Sequence, residues 1–183
     1  MADSLKETAL ALGFDAAADI DVATLKPQEW VRSECAENKC QAFNKNWTCP
    51  PACGTLEECG ARMQRYRRGM IVQTIGQLQK DIDSRGYAEI GLRHSENFRK
   101  LAEEVKKQYP DALCLGAGGC RVCKQCAYPE PCRFPEKAYS SMEGYGLFVT
   151  QVCRDNGVQY NYGRRTIAYS GCVLYDQKDE AEE

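Results

Sequence analysis

Four cysteines spaced Cys120-x2-Cys123-x2-Cys126-x5-Cys132 leave the middle of this chain little conformational freedom. Three thiols two residues apart, a fourth nearby, and Pro129, Pro131 and Pro135 around them specify a tight loop rather than a helix or strand. Such a loop aims three thiolates at three corners of an iron–sulfur cubane, and the fourth closes the last corner. Zinc also takes four ligands, usually as two separated Cys-x2-Cys knuckles, so the unbroken triple matches a cluster better than zinc. Gly116, Gly118 and Gly119 let the backbone curl closely before Cys120. Tyr128 and Phe134 are candidates to shield the site from water. Cys132 serves this cluster or, as in two-cluster ferredoxins, a second one. A redox dithiol at Cys120 and Cys123 fits less well, because it needs no ring of further thiols.

A second group lies upstream, at Cys35, Cys40, Cys49, Cys53 and Cys59. Five thiols exceed the four of one cubane. Cys35, Cys40 and Cys49 fall in an irregular segment and are the better ligands. Cys53 is an alternative fourth ligand. Cys59 lies on a predicted helix face, where free cysteine also packs as a small hydrophobe. Cys114 and Cys172 fall on predicted strands and Cys153 on a predicted helix, all read as buried thiols.

Composition narrows the classes. A net charge of −2 and a pI near 5.6 argue against a general nucleic-acid binder. No apolar run approaches a membrane span, and the first residues carry no basic-then-apolar leader. The expected location is therefore the cytoplasm, where structural disulfides are rare and twelve thiols call for metal. The only histidine, His94, is far from both thiol groups, which disfavours copper(II), nickel and non-haem oxygenase sites. It reads as a loop or cap residue before a helix. Walker A, nucleophile-elbow and HExxH motifs are absent, as is the Cys-x3-Cys-x2-Cys spacing of radical enzymes. Arg62, Arg65, Arg67 and Arg68 form either a solvated face or a docking patch for an acidic redox partner.

The 183 residues read as a single domain with cysteine-rich loops at about residues 31–60 and 114–136 and a frayed acidic tail at about 177–183. Capping boxes open helices at Ser4, Thr55 and Ser140, and Ser95 opens another that Pro110 ends. Strands are expected near residues 16–25, 69–76, 112–115, 159–162 and 166–175, and an irregular chain from Pro27 to Pro51. Alternating helices and strands give an α/β or α+β fold: a small mixed sheet, flanking helices and two cluster-binding loops gathered at one side.

Two motif blocks carry a resemblance. They are Trp47-x-Cys49-Pro50-Pro51 with Gly54-Thr-Leu-Glu-Glu-Cys59, and Ala117-Gly-Gly-Cys-Arg-Val-Cys-Lys-Gln-Cys126 with Pro131-Cys-Arg-Phe-Pro-Glu136 and Ser141-Met-Glu-Gly-Tyr-Gly146. Over about residues 30–175 the chain resembles a widespread cysteine-rich family of predicted metal-binding proteins of bacteria and archaea, common in anaerobes and of unknown function. The resemblance implies two clusters, [4Fe-4S] in type, at Cys35, Cys40, Cys49 and Cys59 and at Cys120, Cys123, Cys126 and Cys132; it supplies no reaction. Cys53, Cys114, Cys153 and Cys172 are additions to the usual pattern. Three functions follow as expectations. The first is an electron carrier or accessory redox subunit working with a redox partner protein. The second is an iron–sulfur-dependent oxidoreductase with an open-site cluster. The third is a zinc-stabilised interaction module.

Overall fold

The computed structural model describes residues 2–177, with side chains from residue 5 onward. Its centre is a pair of twelve-residue strands, β2 (Tyr66–Gln77) and β4 (Thr166–Gln177). They pair antiparallel from Tyr66↔Gln177 to Gln77↔Thr166. β1 (Ala16–Ile20) flanks β2 and β3 (Leu113–Leu115) flanks β4, giving the order β1-β2-β4-β3. All three ladders are antiparallel, so the fold is α+β. The parallel component among the described residues is an isolated bridge from Gly116 to Ser141.

Both faces of the sheet are covered, which explains why Met70-Ile71-Val72 and Cys172-Val173-Leu174-Tyr175 read as continuous apolar runs rather than alternating ones. On one face Met70, Val72, Val173 and Tyr175 pack with Leu5 and Ala9 of α1 (Ala2–Ala11) and with Phe98, Leu101 and Val105 of α4 (Ser84–Gln108). Phe98 lies flat on the strand backbone: a Cβ at Gly171 would stand 2.6 Å from its ring. On the other face Ile71, Cys172 and Leu174 pack with Cys59 and Met63 of α3 (Leu56–Gln64) and with Val152 and Cys153 of α5 (Val149–Asp155). The Thr55–Glu58 box at the start of α3 is reciprocal, as expected: the Thr55 hydroxyl accepts from Glu58 N at 3.1 Å and the Glu58 carboxylate from Thr55 N at 2.7 Å.

Several expectations are corrected. α2 (Glu29–Ala36) interrupts the supposed irregular stretch, because Pro27 precedes its first turn and the next proline comes only at Pro50. α1 begins before Ser4, whose side chain lies outside the described residues, so Ser4 is not its cap. α4 starts at Ser84 rather than Ser95: the buried Asp83 carboxylate caps it, accepting from Gly86 N at 3.0 Å and from Gln79 N at 2.9 Å. Its first turns present few buried residues, which hid them from a periodicity argument. Ser140 opens no helix. The Ser141 hydroxyl accepts from Gly144 N at 2.9 Å, Gly146 adopts φ +77, and residues 141–146 form turns that still bury Met142 and Tyr145. The strand expected at 159–162 is absent, because local bonds compete with it: Gly163 N donates to Asn161 Oδ1 at 2.9 Å and Tyr162 OH to the Gln159 carbonyl at 3.2 Å. The tail beyond residue 177 lies outside the described residues.

His94 is not a loop residue. It lies inside α4 at 1 % exposure, with Nδ1 3.0 Å from Thr74 Oγ1 and its Nε2 unpartnered. Burial pulls its pKa from 6.5 down to about 4. Between those values the unfolded chain takes a proton that the folded chain refuses, so stability must fall as the pH drops through that window. A urea series at neutral pH and near pH 4 should show wild type losing about 3 kcal/mol more than His94→Gln, the order set by that pKa gap. Equal losses would show that His94 is not held neutral.

Candidate metal centre

The thiols divide into two groups that meet. Leaving β3, the chain passes Gly116 into the loop that carries Cys120, Cys123, Cys126 and Cys132, all half-buried. These four line one small cavity. Its other walls include Val122, Ala127 and Phe134, and Trp47 from the upstream loop. Burial pushes the Cys120 thiol up; the Val122 backbone amide bonds to its sulfur and opposes that shift, while the three neighbouring thiols add to it.

The upstream loop holds the downstream one in place. Asn46 and Thr48 are both buried. The Asn46 side-chain oxygen accepts from the Thr48 amide and hydroxyl, each at 3.0 Å. The Thr48 hydroxyl in turn accepts from Cys120 N at 3.2 Å. Trp47 Nε1 donates to the Glu130 carbonyl at 2.7 Å, and its ring meets Tyr128 edge-on at 5.0 Å. Tyr128 OH reaches Asn44 at 3.0 Å. The peptides Pro50–Pro51 and Tyr128–Pro129 are both cis. Contact is close enough that a Cβ at Gly119 would stand 3.5 Å from Cys49 Sγ. The two cysteine-bearing segments thus meet in a direct clasp.

Within the upstream group, Cys35 ends α2, Cys40 is exposed in the following turn, and Cys49 is half-buried beside Cys120. Burial pushes Cys49 up to about 11, with Cys40, Cys35 and Cys120 adding to the rise, and it raises Cys35, with Cys40 next in size. Cys53 and Cys59 are buried neighbours: the Cys59 thiol donates to the Cys53 carbonyl at 3.7 Å and the Cys53 thiol to the Gly144 carbonyl at 3.5 Å. Interaction between the two thiols pushes Cys53 up and pulls Cys59 down, and Arg32 and Arg62 also favour the Cys59 thiolate. Arg32 NH2 points at Cys59 Sγ at 3.5 Å and its NH1 donates to the Gly54 carbonyl at 2.9 Å. Arg32 Nε is buried without a partner. Arg62 turns inward to the Cys53 carbonyl at 2.8 Å, and Arg68 lies over Tyr175 at 5.0 Å. The arginines near the end of α3 thus do not form one free cationic face.

Cys114, Cys153 and Cys172 are buried on β3, α5 and β4, as the sequence reading expected, and burial raises all three. Two features escaped that reading. One is Arg32, whose role depends on folding α2 over the upstream thiols. The other is Glu143, whose Oε2 is shut off from solvent without a partner. Among the described residues no three His, Cys, Asp or Glu side chains converge on a single point suited to one metal ion. None of their helices is long and apolar enough to cross a membrane.

Residues 18–175 match the family described as "Predicted metal-binding protein (DUF2284)", and the chain belongs to it. No curated protein and no solved structure matches.

The clasp makes a direct prediction. Thr48→Val keeps the shape but strands the Cys120 amide and removes a donor from Asn46. It should cost about 1–3 kcal/mol in chemical unfolding, whereas Thr48→Ser should retain most of the stability. An unshifted valine variant would show that the loops are held by other means.

Proposed function

We propose that this chain is an iron–sulfur protein with two centres, one at Cys120, Cys123, Cys126 and Cys132 and one at Cys35, Cys40, Cys49 and either Cys53 or Cys59, acting as an electron carrier or accessory redox subunit. The observation that carries the reading is the single cavity lined by all four downstream thiols, three of which lie near enough to act on Cys120. A zinc ion draws its thiolates to about 2.3 Å, whereas a cubane takes one thiolate at each of four separated corners. Two further observations fit a sulfur-rich group. Trp47, Val122 and Phe134 limit water at the cavity, and backbone and guanidinium N–H groups are available to sulfur. Arg32 Nε in particular lacks an acceptor amid the upstream thiols. Hydrogen bonds to cluster sulfur and partial burial are the terms that tune a potential.

Such clusters supply one-electron redox chemistry. This chain's residues would bind them, exclude water and keep the two close. Cys49 and the Cys120 loop share a wall, so an electron would pass between centres without crossing solvent. The open groove beside Cys35 and Cys40 favours a second reading, in which the upstream centre also acts on a small molecule as an oxidoreductase.

Purification without oxygen, followed by assays of iron, sulfide and zinc, tests the proposal. Two cubanes require about eight irons and eight sulfides per chain, with visible absorption that bleaches on reduction. Cys126→Ser should lose about half of that iron, and Cys153→Ser none. A colourless protein with stoichiometric zinc would overturn both redox readings and leave a zinc-stabilised module. A Cys153→Ser variant that lost iron would overturn the ligand assignment.

A further inference from the structure

Beside the upstream thiols the surface opens into a groove of about 360 Å³ reaching Cys35 and Cys40. A second hollow, of about 510 Å³, lies against it. The two share Glu143, Val149, Thr150 and Tyr160 as a common wall. Glu143 as a residue is part-exposed, but its Oε2 is shut off from water and accepts no hydrogen bond. Carboxylate oxygens in that state are normally paired.

The cationic side chain in the groove is spoken for. Lys39 pairs with Glu37 and, at 3.5 Å, with Glu34. Glu34 itself adds a second carboxylate to the groove wall. The rim is aromatic and unusually exposed: Trp30 at 51 %, Phe148 at 36 % and Tyr160 at 36 %. Trp30 and Phe148 meet edge-on at 4.9 Å, and Trp30 Nε1 is anchored on Gln28 at 2.6 Å, so these rings are held apart from the core as a fixed rim. A carboxyl group that has Ser141 as a partner but keeps one oxygen unpaired, beside aromatic faces open to solvent, offers the chemistry that selects a cation with an apolar body.

We propose that this groove is a binding site for a small organic ammonium ion, with its N–H donors on the part-exposed Glu143 carboxylate and its carbon body against Trp30, Phe148 and Tyr160. Burial pushes the Glu143 carboxyl up, toward holding a proton, and a cation seated on it opposes that bias. The ligand would end beside Cys35 and Cys40, within reach of the upstream centre. Binding itself does not depend on what those thiols hold, so the site stands or falls separately from the metal assignment.

Calorimetry with benzylamine and its neutral isostere benzyl alcohol tests this, on full-length protein near neutral pH with iron content measured separately. Benzylamine should bind at least about ten-fold more tightly than benzyl alcohol. Glu143→Gln should weaken benzylamine by at least about ten-fold and leave benzyl alcohol within about two-fold. Trp30→Ala should weaken both ligands. Circular dichroism establishes that each variant is folded. Should Glu143→Gln fail to fold, nuclear Overhauser contacts in wild type decide the matter, and they should run from the benzylamine ring to the Val149 and Thr150 methyls. Absence of saturable benzylamine binding up to about 10 mM, equal affinity for amine and alcohol, or contacts elsewhere on the protein would each overturn the site.

Discussion

The long antiparallel pairing of β2 with β4 is the constraint on which the remaining structure rests. Each strand has a neighbour on its other side and helices or turns over both faces, so this pair has little solvent-facing surface to spare. That double burial selects Met70, Ile71, Val72, Val173 and Leu174, and it tolerates polar residues only where they find partners. Gln73 is one such case: fully buried, it bonds through its amide nitrogen to Ser170 at 3.3 Å and through its oxygen to Tyr162 at 2.7 Å. β3 is short, yet by pairing with β4 it fixes where the chain leaves the sheet for the downstream cysteine loop.

The two cysteine-bearing segments are assembled outside that framework. Their order comes from side chain-to-backbone bonds between the two loops, with Asn46 and Thr48 doing what strand ladders do elsewhere. An isolated thiol loop would have to hold its shape on proline rigidity alone. Here the upstream loop supplies a wall of the downstream cavity, and Trp47 belongs at once to the upstream segment and to that cavity. A disturbance at one thiol group would therefore reach the other through the Thr48–Cys120 contact, without help from the sheet.

Local signals in the sequence were legible and long-range ones were not. The Thr55–Glu58 box and the apolar runs of β2 and β4 depend on near neighbours and lie at or close to their expected places. The first half of α4 depends on Asp83, a cap without an apolar stripe after it, and was missed. A capping pattern at Ser140 misled because Gly144 and Gly146 turn the chain before a helix can begin. At the candidate site, spacing singled out the thiols. It gave no sign of Arg32, Thr48 or Glu143, whose meaning arises only when α2 and the turn at 141–146 are brought against the cysteines.

Gly116 is bonded on both sides to one returning segment: its N–H donates to the Ser140 carbonyl at 2.8 Å, and its carbonyl accepts from Met142 N at 3.0 Å. The downstream loop thus leaves and rejoins the body of the protein through a single stitched point. Because the closure cost of a loop grows only slowly with its length, what lies beyond that stitch can vary in size and content with little demand on the sheet beneath. In evolutionary terms the cysteine loop is a socket. The framework specifies the mouth, and the residues within are free to change without redesign of the sheet that carries it.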